Sequence, residues 1–155
     1  MYSERVRLAE GQLENGISIK VIWFDEDLLE ALCSCSNGYF SGQTEFYLAH
    51  DAPSQLASTL SGFPSSAADY RDFELGAFKP NHAGGGVLMH FYCVDSVGHA
   101  AVDVELKDGG RNSPGGIQSV ALHIPIEAAG VDNFVQQLKA MGKTIGAGAF
   151  LRQAK

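Results

Sequence analysis

The sequence predicts an α+β domain with a mainly antiparallel sheet of about seven strands, built from meanders and hairpins and joined by two helices. Three observations predict it. The 18 glycines lie mostly in short clusters between apolar runs, which implies many connections between many short elements. The apolar runs are short, and most are β-branched or alternating, while only two stretches, near residues 53–61 and 128–141, carry helical spacing. Strands and helices do not alternate regularly, which argues against a parallel doubly wound sheet. At 155 residues, with 45% hydrophobic content, the chain is long enough for one core and short for two. The expected division is an N-terminal extension at 1–16, a single domain at 17–142 and a C-terminal tail at 143–155.

The first strand is ISIKVIWF, residues 17–24, ending at the acidic turn Asp25-Glu26-Asp27. LLEALCSCS (28–36) and YFSGQTEFYLA (39–49) flank Asn37-Gly38, the preferred dipeptide of a two-residue type I′ hairpin. With Ser36 opposite Tyr39, that register pairs Cys35 with Phe40, Cys33 with Gly42, Ala31 with Thr44 and Leu29 with Phe46. It also sets Glu30 across from Glu45 on the other face, a like-charge pair that costs up to ~1 kcal/mol unless a cation lies near. Asp51-Ala-Pro-Ser then offers an N-cap with Pro in the first turn, Leu56, Ala57 and Leu60 at helical spacing, and Gly62 to end the helix. YRDFELGAF contains a short strand around Phe73 to Leu75, and NHAGGG is a connection.

GVLMHFYCV and HAAVDVEL enclose Asp95-Ser-Val-Gly98. That loop closes with Val94 opposite His99 or, through a bulge at Gly98, with Asp95 opposite His99. Both registers give an apolar face. KDGGRNSPGG (107–116) is a polar, Gly-rich loop suited to disorder. IQSVALHIPI returns a strand that Pro125 ends or confines to an edge. Val131, Phe134, Val135, Leu138 and Met141 form the stripe of the last helix, with Lys139 and Lys143 near its end and Gly142 at the C′ position.

Charge is distributed unevenly. From Val21 to Tyr70 there is no Lys or Arg, while Asp25, Glu26, Asp27, Glu30, Glu45, Asp51 and Asp69 supply seven carboxylates. The other 105 residues hold 18 − 7 = 11 acids against 11 bases, so the net charge of −7 belongs to one third of the chain. An acidic face is expected there, and clustered cations for phosphate are missing, which argues against a nucleic-acid partner and for a basic protein. No window approaches a membrane span, and MYSERVRLAEGQ alternates charges where a signal peptide needs an apolar core, so a cytoplasmic protein is expected. Three cysteines without an export signal read as reduced thiols.

The motifs have plain structural explanations. Asp25-Glu26-Asp27 opens like a calcium loop, but Leu29 and Glu30 stand where that loop needs an oxygen ligand and a glycine, so a solvated turn is the better reading. Cys33 and Cys35 share a strand face with no further Cys or His ligand nearby, and the register sends both thiols to the core. His90 and Cys93 point oppositely on one strand, and His90 and His99 do not meet in either register. His50-Asp51 is the one sequential acid–base pair, and helix capping already accounts for Asp51. Gly142-Lys143-Thr144 lacks the first glycine of a phosphate loop, since Gln137 holds that position. Trp23 beside Phe24 reads as a core aromatic before a partner anchor. No metal, cofactor or catalytic set is expected.

The order of ENGISIKVIWFDEDLLEA, SNGYFSGQTEFY, QLASTLSGFP, FELG, HFYCVDSVGHAAVDVEL and PIEAAGVDNFVQQL resembles the WapI-type immunity proteins of bacterial polymorphic toxin systems, over residues 15–141. The resemblance carries no catalytic residues. It implies a cytoplasmic antidote that occludes a toxin domain, often a nuclease. A basic toxin fits an acidic inhibitor surface, because complementary charge speeds encounter and rejects wrong partners. The expectation is a non-enzymatic protein that binds a basic partner through Asp25, Glu26, Asp27, Glu30 and Glu45. The alternative is a small-ligand-binding domain or enzyme with His50, His90 or His123 in a pocket between sheet and helices. A self-associating domain, such as a homodimer, is the third option.

Overall fold

A computed structural model describes residues 14–76, 84–109 and 116–155. In chain order the elements are β1 (Gly16–Phe24), β2 (Leu28–Ser36), β3 (Ser41–Ala49), α1 (Ala52–Leu60), β4 (Tyr70–Gly76), β5 (Gly86–Cys93), β6 (Ala100–Lys107), β7 (Ser119–Ile126), α2 (Ala128–Ala140) and β8 (Gly148–Arg152). The α+β class holds, with eight strands among the described residues, arranged as two antiparallel sheets rather than one. One has the order β3-β2-β1-β8 and the other β4-β5-β6-β7.

Alternation explains how the sheets share a core. Ile17, Ile19 and Val21 on β1, Cys33 and Cys35 on β2, and Phe46 and Leu48 on β3 point inward from the first sheet. Val87, Met89 and Phe91 on β5, Val102 and Val104 on β6, and Leu122 and Ile124 on β7 point inward from the second. β3 comes closest to the second sheet, and α1 and α2 pack on each other and close the cluster with Leu56, Leu60, Phe134 and Leu138. The Thr44 hydroxyl donates to Lys107 O at 2.8 Å and so ties β3 to β6 across the junction.

Four local expectations need correction. The tail is part of the fold: β8 pairs with β1 from Gly16↔Arg152 to Lys20↔Gly148. Its five residues bury only Ala149 and Leu151, too few alternations to mark a strand in sequence. Gly16 is required at this junction, since a Cβ there would lie 2.1 Å from Leu151 O. The β2–β3 hairpin is shifted by two residues, with Ser36 opposite Ser41, Cys35 opposite Gly42 and Cys33 opposite Thr44. A type I′ turn needs positive φ at both central residues, and among the described residues only glycines adopt it, Gly38 at +92° included. The loop is therefore Asn37-Gly38-Tyr39-Phe40, and the faces survive because a shift of two preserves alternation.

The caps differ as well. Asp51 makes no side-chain cap and instead accepts from Gln55 Nε2 at 2.9 Å, while α1 ends at Ser61 before a left-handed Gly62. At the end of α2, Met141 takes an extended conformation, so Gly142 does not form a left-handed C′. Between the two open registers of the β5–β6 hairpin, the observed one sets Cys93 opposite Ala100, with Val94 N–H donating to His99 O at 2.7 Å. Pro125 sits on β7, an edge strand of its sheet. The expectations for the N-terminal extension and the 107–116 loop fall mostly outside the described residues, at 1–13 and 110–115.

Candidate functional site

The five acids of the expected contact set do not form one surface. Asp25, Glu26 and Asp27 occupy the exposed β1–β2 turn. There Asp25 Oδ1 accepts from the backbone N–H groups of Asp27 and Leu28, both at 2.8 Å. These bonds, Leu28 first, hold the Asp25 carboxyl below its ordinary range, so Asp25 shapes the turn. Glu30 and Glu45 are buried, at 5% and 8% exposure. They do not face each other either: Glu30 lies opposite Tyr47 and Glu45 opposite Leu32. Along β2 their sheet face is closed, with Leu32, Ser34 and Ser36 also buried, while Gln43 and Tyr47 on β3 are exposed; the burial of Glu30 and Glu45 themselves removes both from the contact set.

The other expected residues fall as follows. Cys33 and Cys35 lie in the core with sulfurs 4.0 Å apart. The hydrogen bond between them, together with burial, pushes the Cys35 thiol well above its usual range, keeping it protonated. His50 Nε2 lies 2.9 Å from Asp25 O, so His50 and Asp51 bond elsewhere and make no dyad. Trp23 packs edge-on against Tyr47 at 6.2 Å. His90 and His123 are not between sheet and helices; they stand on the opposite, open face of the second sheet.

That open face carries the most organised chemistry in the molecule. Register aligns Asp72 with His90, His90 with Asp103, and Asp103 with His123, so acid and imidazole alternate in one row across β4, β5, β6 and β7. Side-chain exposure along the row is 65%, 46%, 50% and 54%. A second row sets Glu74 and Leu88 beside Glu105 and Ala121, and a third sets Tyr70 beside Tyr92. Asp72 takes His90 Nδ1, and Asp103 takes His123 Nδ1 at 2.7 Å and the Tyr92 hydroxyl at 3.1 Å. An ionised carboxylate only accepts, so each Nδ1 is the donor and Nε2 is the acceptor of the neutral ring. Burial and the Asp103 bond raise the Tyr92 phenol above its ordinary range, which keeps it a donor. The His90 ring stacks on Tyr92, with centroids 5.0 Å apart.

Asp72, Glu74, Asp103 and Glu105 thus give this face four carboxylates. Lys107, at its far end between Gly86 and Ser119, is 8% exposed and is the one cation on the outward positions of these four strands among the described residues. A groove of about 500 Å³ runs over Leu88, between the β4 acids and the β6 acids, and reaches Ala121 on β7. The arrangement suits a cation with an aliphatic stem: apolar floor, anionic walls, aromatic end. No group of three or more His, Cys, Asp or Glu among the described residues has the geometry to hold a metal ion.

Pairing His90 with Cys93 or His99, as spacing along one hairpin invites, misses this row. The signal is present in MHF, VDV and LHI, where a polar residue interrupts buried ones in three successive strands, and in DFE, where two exposed acids flank a half-buried Phe73. Alignment requires three registers at once, and sequence left one of them open.

No helix among the described residues is long and apolar enough to cross a membrane. No family model, curated protein or solved structure matches this chain.

Proposed function

We propose that the chain is a non-enzymatic, cytoplasmic binding protein that neutralises a basic protein, a toxin domain of the kind the WapI-type resemblance implies. Its docking surface in this reading is the open face of β4–β7. The observation that carries it is the set Asp72, Glu74, Asp103 and Glu105, exposed or half-buried on a face whose one outward cation is buried. Acids on β4 and β6 stand about 10 Å apart, two strand spacings, where their mutual repulsion in water is only ~0.4 kcal/mol. The face therefore tolerates its charge unliganded and still attracts a cationic surface.

The test is co-expression with the polypeptide of the adjoining reading frame, followed by binding kinetics against salt. Growth should be rescued, and the double variant Asp72→Lys/Asp103→Lys should slow association by about tenfold or more and flatten the salt dependence. Rescue without any change in association would move the interface elsewhere. Absence of rescue and of binding would end the proposal.

A second reading, a site for a small cationic ligand or for acid–base chemistry, draws on the same groove and on the Asp103–His123–Tyr92 cluster. A bound amine recovered with the purified protein and lost from Glu105→Gln would favour it.

A further inference from the structure

We infer that the Asn37-Gly38-Tyr39-Phe40 turn is the apolar anchor of the same interface, presenting Tyr39 and Phe40 to a hydrophobic pocket in a basic protein; this rests on the reading just proposed. Tyr39 is 89% exposed and Phe40 65%. Burying such side chains is favourable, a gain the free protein forgoes in large part at two adjacent residues.

The turn does not need the aromatics for its own shape. Asn37 Oδ1 accepts from the N–H groups of Tyr39 and Phe40, both at 2.9 Å, and Asn37 N–H donates to Phe40 O at 3.1 Å. Gly38, at φ +92°, supplies the left-handed step. These bonds fix the backbone from which both rings project, so little backbone entropy remains to be lost when a partner covers them. Large aromatic side chains on a preformed backbone are the usual centres of binding energy in protein interfaces.

Position connects the turn to the acidic face. Asn37 Nδ2 donates to His123 O at 3.1 Å, so the turn is fastened to β7 at the residue that ends the acid–imidazole row. From β4 to β7 is about 14 Å at ~4.8 Å per strand, and a standard interface of ~800 Å² per partner is roughly 28 Å across. A footprint of that size is wide enough to reach from the row to the turn. The occupant that fits is a protein with Lys or Arg over the β4–β6 acids and an apolar pocket beside them. A second copy of this chain is a poor candidate, since its own acidic row would meet like charge.

The two halves predict different kinetics, which separates this inference from the reading beneath it. Against the product of the adjoining reading frame, Tyr39→Ala and Phe40→Ala should each raise the dissociation rate by ten- to a hundredfold and leave association and its salt dependence alone. Asp72→Lys/Asp103→Lys should act chiefly on association. Thermal melts of the free variants check folding, and Tyr39→Ser, at the more exposed position, provides a second substitution. If the aromatic variants dissociate like wild type while charge reversal weakens binding, the anchor is refuted and the acidic reading stands. If the aromatic variants fail and charge reversal has no effect, the acidic reading falls, and the anchor falls with it as part of that interface. If neither class matters, or the neighbouring product does not bind, both fall.

Discussion

Arg71 → Met tests how β4, the strand that carries Tyr70, Asp72 and Glu74, is fastened to the rest of the molecule. The guanidinium donates from Nη1 to Thr59 O at 2.9 Å and to Ser61 O at 2.8 Å, meeting carbonyls that the end of α1 leaves open. From Nη2 it donates to Asp69 Oδ2 at 2.8 Å, and from Nε to Asp69 Oδ1 at 3.3 Å. It also lies 5.6 Å from the centroid of the buried Phe63 ring. A hydrogen bond to a charged group contributes about 1.5–3 kcal/mol at most, and these are worth less because water reaches the site: side-chain exposure is 21% for Arg71 and 12% for Asp69. Met retains the stem's contact. The expected loss is about 2–3 kcal/mol, of which the Asp69 pair accounts for about 1 kcal/mol after screening.

The pH dependence supplies an independent check. The Arg71 bond first, then the Ser65 backbone N–H, holds Asp69 at about 2, below the ordinary 3.8. A carboxyl whose folded pKa is depressed adds stability that is complete above its unfolded value and fades as pH falls toward the folded one. Wild type should therefore lose this contribution between about pH 4 and pH 2, and Arg71→Met should show a shallower loss over the same range. Urea unfolding at pH 7 and through that acid range measures both quantities, and a cycle with Asp69→Asn isolates the pair. Stability within about 0.5 kcal/mol of wild type, with an unchanged acid slope, would refute the account of Arg71 as a clamp.

Two further outcomes follow from the fold. Gly76→Ala should destabilise by about 2–4 kcal/mol in thermal or urea unfolding, because φ is +71° and the new Cβ would sit 2.6 Å from Phe46 Cβ and 2.7 Å from Gly85 O. Glu45→Lys should cost about 3 kcal/mol or more, since it reverses a buried charge, whereas Glu26→Lys on the exposed turn should stay within about 0.5 kcal/mol; equal stabilities would contradict the burial described above.

What was legible in sequence was whatever two-residue alternation alone decides. Alternation alone sends Cys33 and Cys35 to the core, and both are buried there, with Ala31 and Leu29 on the same strand face. The registers were harder, because register depends on turn geometry and a slip of two residues leaves every face intact. Asn37 illustrates this: the dipeptide Asn-Gly favours a two-residue turn, but its side chain closes a four-residue one instead. Burial on the second face of a sheet is invisible to alternation. Glu30 and Glu45 look like solvated residues by type, and only the folded chain shows that both are buried. The acidic excess by chain segment was therefore a poor guide to the acidic surface, as Asp72, Glu74, Asp103 and Glu105 all lie outside the acid-rich third.

Why those four acids can share a face unpaired with Arg or Lys among the described residues is answered by what separates them. On the first row His90 stands between Asp72 and Asp103, and His123 closes the far side; on the second, Leu88 stands between Glu74 and Glu105. Like charges directly opposite on neighbouring strands would be destabilising, and the interposed β5 prevents that arrangement at each of these pairs. The same spacing leaves the acids without an intramolecular cation in either row among these strands. A structural ion-pair network would alternate acid with Arg or Lys; this one alternates acid with imidazole and an apolar floor, keeping the field outward. Charge kept apart in this way, by imidazole and an apolar floor, is the feature on which the proposed interface rests.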